Sequence, residues 1–350
     1  MLDTGLSMDA VSVVLVWTAV AVYTLAFIAY TIDLARRSDL AIKAKDAVDA
    51  RVLVGVGAGG SGGLAGGTAE RGPDELEVAP SQRPRYLWAR IGTSLTVLGL
   101  LFHIAADVLR GIAAGRVPWS NMYEFALTGT MLVVAVYVVV LFRYDLRFLG
   151  SFVTGLTIVL LGGAALAYYV EVVPLADSLK SVWLVIHVFV ASLATAVFAL
   201  AFALSVLQLM QARRERLTAA AVGPAYADAD ALAVAKTGPR FLRTLPRADA
   251  LESLAYRFAI VGFILWTFTL IAGSIWANDA WGRYWGFDTK EVWTFIIWTL
   301  YAGYIHARAT RGWRGTRSAW LSIIGFSAVI FNFTIVNQFF KGLHVYSGLS

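Results

Sequence analysis

Cysteine is absent from this 350-residue sequence, which excludes a disulfide, a thiolate metal site and a cysteine nucleophile. Charge is scarce as well: 15% of the residues are charged, whereas an average soluble domain carries about 25%. Hydrophobic residues make up 59% and the mean hydropathy is +0.68. This composition indicates a chain that lies in a lipid bilayer, with a length that suits one helical bundle and its loops.

Apolar runs long enough to cross a hydrocarbon core of about 30 Å recur along the chain. They occupy approximately 11–32, 87–110, 122–142, 148–170, 181–209, 254–276, 291–307 and 319–340. The first run has no basic region before it, so it predicts a membrane helix and not a cleaved signal peptide. Because helices satisfy their own backbone groups in lipid, the sequence predicts an all-α polytopic transmembrane bundle of about eight helices.

The polar stretches divide this bundle into parts. We expect a first transmembrane helix in 1–32, a flexible cytoplasmic linker in 33–86, helices two to five in 87–210, a second linker in 211–253, and helices six to eight with an external loop in 254–350. Glycines 55, 57 and 60 match G-x-G-x-x-G, but no strand precedes them and no helix follows. The stretch is therefore interpreted as a flexible tether and not as a nucleotide site.

Most of the 29 lysines and arginines lie in the two linkers and in the loops between helices three and four and between helices seven and eight. By the positive-inside rule these segments are cytoplasmic, which puts both termini and the loop after the sixth helix on the outer side. The net charge of +6 is then a topology signal. The lipid bilayer is an expected partner, and no nucleic-acid partner is expected.

The most unusual stretch is the aromatic segment, residues 276–293, with the sequence WANDAWGRYWGFDTKEVW. A single tryptophan near a helix end would be an interfacial belt residue, but four tryptophans in one outer loop would suit the flat walls of a planar apolar macrocycle. Arg283 and Lys290 could donate to its carboxylates. Asp288 and Glu291 form a capping box that would start the seventh helix, and the sequence leaves open whether they also have a functional role.

The four histidines each lie on or beside a different helix. His103 lies in the second helix and His306 in the seventh, whereas His187 lies near the outer end of the fifth and His344 follows the eighth. An ionisable side chain within a membrane is costly and usually functional, and paired neutral imidazoles suit a haem iron. Two bis-histidine sites are expected, with Asp107 orienting His103. By register His103 and His306 differ in depth, so whether they meet stays open.

A second outer loop, GRVPWSNMYEFA, has Trp119, Asn121, Tyr123 and Glu124 where the third helix begins. Ser120 or Asn121 could be an ordinary N-cap. A polar cluster on the same side as the aromatic segment could also form the rim of a ligand site.

The stretch WGRYWGFDTKEVWTFIIWTLYAGYIHAR resembles the tryptophan-rich WWD signature of haem-handling proteins, and specifically the CcsA/ResC branch of cytochrome c biogenesis (system II). PWSNMYE, IHV and GLHVY match that branch in the same order. The resemblance implies that haem b is bound at two places. His103 and His306 would form a transmembrane pair, His187 and His344 would form an external pair, and Trp276, Trp281, Trp285 and Asp288 would cradle the ring.

The resemblance also implies partners and a location. A ResB/CcsB-type membrane protein would act with this chain in a bacterial cytoplasmic membrane, and apocytochrome c would supply the thiols of a Cys-x-x-Cys-His segment. Synthase activity would belong to the complex, so the assignment as an enzyme is left open. Phe287 and Thr289 depart from the usual tryptophan and proline. The alternatives are a b-type cytochrome for electron transfer and a secondary transporter.

Overall fold

The computed structural model describes residues 7–57, 86–172, 179–222, 239–340 and 342–343, with the backbone alone for 41–57 and 220–222. Within these ranges the chain forms eight long helices and no strand. They are α1 (Met8–Gly57), α2 (Leu87–Ala114), α3 (Met122–Leu141), α4 (Gly150–Ala167), α5 (Val182–Val222), α6 (Ala248–Trp281), α7 (Thr289–Arg311) and α8 (Thr316–Phe331). The all-α polytopic bundle predicted from the sequence is confirmed.

Two of the helix starts next to the candidate site follow from capping chemistry. The Asn121 side chain accepts a hydrogen bond of 2.9 Å from the Glu124 amide and starts α3. At α7 the predicted capping box is present. Asp288 is the N-cap, and the Glu291 carboxylate accepts a hydrogen bond from the Asp288 amide. Each cap satisfies backbone donors that the first helical turn would otherwise leave without a partner.

The helices form two halves. In the first half, α1 packs on α2 and α4 and α3 packs on both α2 and α4, around a core that includes Tyr23, Leu127 and Leu161. In the second half, α5 pairs with α6 and α8, and α7 packs between α6 and α8. Contacts of α3 with α5 join the halves.

By length and composition, seven helical segments of the described residues could cross a membrane, and they correspond to α1–α6 and α8. The predicted span 291–307 lies in α7, which has 23 residues and is therefore about 34 Å long. Its tryptophans, tyrosines and terminal charges make it less apolar than the others.

Contacts near both ends of α7 nevertheless place this helix antiparallel to α6. The indole N–H of Trp266, midway along α6, donates to the carbonyl oxygen of Thr294 at 3.1 Å. At the other end, the Arg308 guanidinium lies 3.3 Å from the Glu252 carboxylate at the start of α6. Since α6 is one of the seven segments that could cross a membrane, α7 would lie in the bilayer beside it, and the eighth predicted span, 291–307, stays a prediction.

Several helices extend beyond the predicted spans. α1 continues past residue 32 to Gly57 and α5 continues to Val222, while a short 3₁₀ turn, Arg240–Thr244, precedes α6. The glycine-rich tether proposed at residues 55–60 falls mostly outside the described residues. At its C-terminal end, α8 runs into a π-helical turn, Asn332–Val336, and a last short turn, Asn337–Phe339.

Candidate ligand cavity at the aromatic segment

A large cavity opens between the two halves of the bundle. Its walls come from α3 and α4 on one side and from α5, α6, α7 and the end of α8 on the other, and its volume is about 970 Å³. Ligand pockets usually have volumes of about 300–1,000 Å³ and are mostly apolar with few polar groups. The cavity can therefore hold a large apolar ligand.

His187 of α5 lies on the wall of this cavity. Its Nδ1 is 2.9 Å from the carbonyl oxygen of Thr269 on α6, and because a carbonyl can only accept, Nδ1 carries the proton. In its neutral form the ring then has its lone pair on Nε2, which is a usual metal-binding atom of histidine. The backbone of α6 thus fixes the tautomer of His187.

A glycine on α6 makes room for this imidazole. A Cβ atom built on Gly273 would lie 2.6 Å from Cε1 and 2.7 Å from Nδ1 of His187. Both distances are shorter than any ordinary contact between carbon or nitrogen atoms. Gly273 is therefore required for the position that His187 adopts.

The predicted tryptophans surround the same region in different ways. Trp276 is almost fully buried, lines the cavity and stacks on His187 with ring centroids 5.8 Å apart. Trp281 meets Trp276 edge to face at 4.8 Å, so it supports the wall from behind. Trp285 is 37% exposed and also lines the cavity. Trp276 and Trp285 thus line the cavity beside His187, and the role of the three indoles as a cradle for a ring stays a prediction.

The carboxylates of the segment hold the loop together. Glu291 accepts hydrogen bonds from the amides of Gly286 at 2.8 Å and Asp288 at 3.1 Å, and it pairs with Arg283 at 3.3 Å. Arg283, which was proposed as a donor to a ligand, is thus engaged within the loop. Phe287 has a φ of 57°, the only positive value outside glycine in the described residues, so the capping box holds a strained backbone.

Lys290 is the cation that does face the cavity. Burial lowers the pKa of its ammonium to about 8, and the nearby Asp288 carboxylate opposes part of this shift. The group is therefore still mostly protonated near neutral pH. Its role as a donor to an anionic ligand group stays a prediction.

Asp288 has a second structural role. Its Oδ1 accepts a hydrogen bond of 3.0 Å from the backbone amide of Leu343, in addition to capping α7. Asp288 is not among the cavity-lining residues, so the structure gives it a scaffolding position. His344 lies outside the described residues, but the residue directly before it is tied to the aromatic segment.

His103 lies in the other half of the molecule. It is fully buried, with Nε2 3.0 Å from the carbonyl oxygen of Leu127 and Nδ1 3.3 Å from the hydroxyl of Tyr23. Since a carbonyl accepts, Nε2 carries the proton and Nδ1 accepts from Tyr23. Both ring nitrogens are thus engaged within α1–α3, and Asp107 instead accepts from Thr128 at 2.9 Å.

His306 is exposed on the surface of α7. That helix packs on α6 and α8, whereas α2, which carries His103, packs on α1, α3 and α4. The structure therefore does not bring His103 and His306 together. The predicted transmembrane pair stays a prediction, and within this chain its two members belong to different halves.

The outer loop before α3 is built into a buried ion network. Glu124 has no exposed side-chain surface and pairs with Arg116 at 2.7 Å and with Arg110 at 3.0 Å. Arg110 also pairs with Asp9 of α1 at 2.6 Å. These residues hold α1, α2 and α3 together near the cavity and do not line it.

Many cavity residues were not singled out from the sequence, among them Gly273, Asn332 and Asn337. The two asparagines could have been found, because polar side chains inside the predicted span 319–340 are unusual in lipid. Gly273 gave no such signal, since glycine is frequent in membrane helices.

The fold defines a multi-pass membrane protein, and its cavity has tryptophans and an imidazole on an otherwise mostly apolar wall. The chain belongs to the cytochrome C assembly protein family, whose family model matches residues 119–344. It is 32% identical over 265 residues to the cytochrome c biogenesis protein CcsA of Guillardia theta, covering 74% of this chain and 86% of that one.

Two cyanobacterial relatives show the same likeness. The cytochrome c biogenesis protein CcsA of Prochlorococcus marinus is 34% identical over 249 residues, covering 68% of this chain and 78% of that one. The CcsA of Synechococcus elongatus is 33% identical over 282 residues, covering 73% and 87%. The family match, residues 119–344, includes the end of the loop before α3 and the whole aromatic segment.

Proposed function

We propose that this chain works in cytochrome c biogenesis by holding haem b in the cavity beside the aromatic segment and presenting it for covalent attachment to apocytochrome c. The observation that carries the proposal is the position of His187, which the α6 backbone orients against Trp276 on the wall of an apolar cavity of about 970 Å³. Family membership supports the same role.

The residues present fit a haem. The ring is flat and apolar, and the indoles of Trp276 and Trp285 supply apolar walls. His187 would give the iron one imidazole ligand through Nε2, and His344 would give the second. The bond between the Leu343 amide and Asp288 supports this pairing, because it ties the chain next to His344 to the aromatic segment.

The chemistry that the bound haem supplies is its iron and its vinyl groups, and two imidazole ligands leave no open position for oxygen. This chain's own contribution is positioning: it orients the ring and keeps it out of water. The thiols come from the Cys-x-x-Cys-His segment of apocytochrome c, in agreement with the absence of cysteine here.

A ResB/CcsB-type membrane protein is the proposed partner, and α7 offers a surface for it. One face of this helix is exposed along its length, and it carries Phe295, Thr299, Gly303, His306 and Thr310. The hydroxyls of Thr299 and Thr310 donate to carbonyl oxygens of their own helix, whereas lipid tails cannot satisfy the imidazole of His306. Small and polar residues also favour close helix packing.

The proposed location is the cytoplasmic membrane of a bacterium, with both termini and the aromatic segment on the outer side. The distribution of lysine and arginine supports this orientation. It puts the aromatic segment on the side where c-type cytochromes would receive their haem.

The test is cytochrome c maturation in cells that express this chain with a ResB/CcsB-type partner and an apocytochrome c. We expect His187→Ala to abolish covalent haem attachment, measured by haem staining after denaturing electrophoresis. Val185→Ala on the same helix is the control, since Val185 is exposed and does not line the cavity. Normal maturation with His187→Ala would reject the proposal.

A further inference from the structure

The end of the bundle opposite the aromatic segment carries arginines that the haem function does not use. The end of α5 meets the segment before α6 there. Arg214 donates to the carbonyl oxygen of Leu242 at 3.0 Å, and Glu215 accepts a hydrogen bond of 3.1 Å from the Ala248 amide. The 3₁₀ turn Arg240–Thr244 also packs on α1. Three parts of the chain thus come together at this place.

Positive charge exceeds negative charge where they meet. Residues 211–219 and 239–249 contain six arginines and two acids, namely Arg213, Arg214, Arg216, Arg240, Arg243 and Arg247 against Glu215 and Asp249. Asp249 pairs with Arg247 at 3.5 Å, and Asp39 of α1 pairs with Arg240 at 3.7 Å. Glu215 is bound to the Ala248 amide. Within the part of the chain that the structure describes, no ion pair involves Arg214 or Arg243.

Arg214 and Arg243 lie close to each other. Arg243 directly follows Leu242, whose carbonyl binds Arg214, and the two guanidinium groups are near enough to repel each other, with Glu215 offsetting some of that repulsion. Both side chains are half-buried, so water weakens the repulsion less than at an open surface. A guanidinium has five N–H donors, and the bond to Leu242 uses one of those on Arg214. The pair is therefore complementary to an anion.

This pair lies at the depth of the lipid headgroups. Arg214 is about 7 Å along the helix beyond the predicted span 181–209, and the headgroup layer on each side of the hydrocarbon core is roughly 5–8 Å thick. On α1, Arg36 lies over the ring of Trp88 at 5.2 Å, and tryptophan is enriched at membrane interfaces. One turn further along α1, Asp39 holds Arg240 of the 3₁₀ turn.

We propose that Arg214 and Arg243 bind the phosphate of an anionic phospholipid in the leaflet at this end of the bundle. A guanidinium binds phosphate oxygens with two parallel hydrogen bonds, and basic pockets between membrane helices bind anionic headgroups. Exposed arginines would be enough to orient the chain in a membrane, whereas two neighbouring, half-buried guanidiniums without a carboxylate are stabilised by a bound anion.

The bound lipid would brace two helices of the candidate site. Its phosphate would join the end of α5 to the turn before α6, and these helices carry His187 and Trp276 at their other ends. The inference does not depend on the haem function, because no residue of the pair lines the cavity.

The experiment compares two lipids with the same acyl chains. Phosphatidylglycerol has a net negative phosphate, whereas choline cancels that charge in phosphatidylcholine. Each is titrated into the detergent-purified full-length protein, and native mass spectrometry measures the fraction of protein with lipid bound. We expect the wild type to bind phosphatidylglycerol at least about tenfold more tightly, the difference that a charge-assisted hydrogen bond supports.

Variants test the pair itself. Arg243→Gln should lose most of this preference and leaves the bond from Arg214 to Leu242 in place. Arg214→Lys keeps the charge without the planar fork and should retain part of the preference. Arg311→Gln is the control, since Arg311 is exposed in the last turn of α7 at the same end of the bundle, and it should keep the wild-type ratio. Thermal melting shows that each variant is folded.

Three results would overturn the proposal. Equal binding of the two lipids by the wild type would exclude the site, and so would an unchanged preference in a folded Arg243→Gln. An equal loss in Arg311→Gln would mean that the general positive charge of this end, and not the pair, attracts the lipid. Titration with inorganic phosphate alone separates the two sources of phosphate, because binding as tight as that of phosphatidylglycerol would exclude a lipid site.

Discussion

Gly273→Ala should displace His187 without removing any of its chemical groups. The new methyl carbon would lie 2.6 Å from Cε1 and 2.7 Å from Nδ1, whereas ordinary contacts between such atoms need about 3.5 Å. The imidazole must therefore move by about 1 Å. That movement breaks or lengthens the 2.9 Å bond from Nδ1 to the Thr269 carbonyl, which fixes the tautomer that presents Nε2.

The expected loss is of the order of one hydrogen bond, about 1 kcal/mol, plus the cost of misplacing an iron ligand. Haem affinity should fall by about tenfold or more, as measured by Soret titration of the purified protein. Gly162→Ala is the matched control, because a Cβ there meets nothing within 4 Å. In both variants alanine favours the helix by about 1 kcal/mol, so a loss of binding cannot come from a weaker helix.

Two results would refute this reasoning. One is a Gly273→Ala protein that binds haem as tightly as the wild type and shows the same spectrum. The other is an equal loss of haem binding in Gly162→Ala, which would mean that any added methyl group in these helices disturbs the cavity.

Four further outcomes are expected. Glu124→Gln leaves Arg110 buried with one carboxylate fewer and should cost about 3 kcal/mol of stability, measured as a lower melting temperature; a cost below about 1 kcal/mol would contradict the network. Phe287→Ile puts a β-branched residue at a φ of 57° and should speed proteolysis of the loop, whereas Phe287→Gly should not; equal rates would argue against strain. His103→Leu loses the bonds to Leu127 and Tyr23 and should lower stability by about 1–3 kcal/mol, while unchanged melting with loss of haem would favour a ligand role. Because the pKa of Lys290 is about 8, its charge is present below that pH and lost above it, so haem affinity should fall as the pH rises through 8; Lys290→Met should lack that step, and a step kept in Lys290→Met would exclude Lys290 as its source.

The helical architecture could be predicted because each span carries its own signal in length and hydropathy. The start of α7 was predicted as well, since the Asp288–Glu291 capping box depends on four consecutive residues. These features are local, and the same residues form them in any context.

Pairings between helices could not be predicted in the same way. His103 and His306 are equally plausible as ligands by residue type, yet His103 packs among α1–α3 and His306 faces outward on α7. The depth of a residue in the membrane and the chemistry of its side chain can be predicted from a single helix. Which helix packs against a given face depends on how the two halves assemble. Gly273 was missed for the same reason, because its importance arises only from the imidazole that packs against it.

Phe287 shows a third kind of limit. The sequence indicated an aromatic residue that differs from the usual tryptophan, and the structure adds that its backbone is left-handed. Such a conformation follows from the loop being held by Glu291 at the amides of Gly286 and Asp288, and not from the preference of phenylalanine.

The visible absorption spectrum of the purified protein shows whether His187 and His344 hold a haem. We expect a low-spin, bis-histidine haem spectrum in the wild type and its loss in the double variant His187→Ala, His344→Ala, with the variant still folded. A low-spin spectrum of unchanged intensity in that double variant would show instead that the haem is held elsewhere.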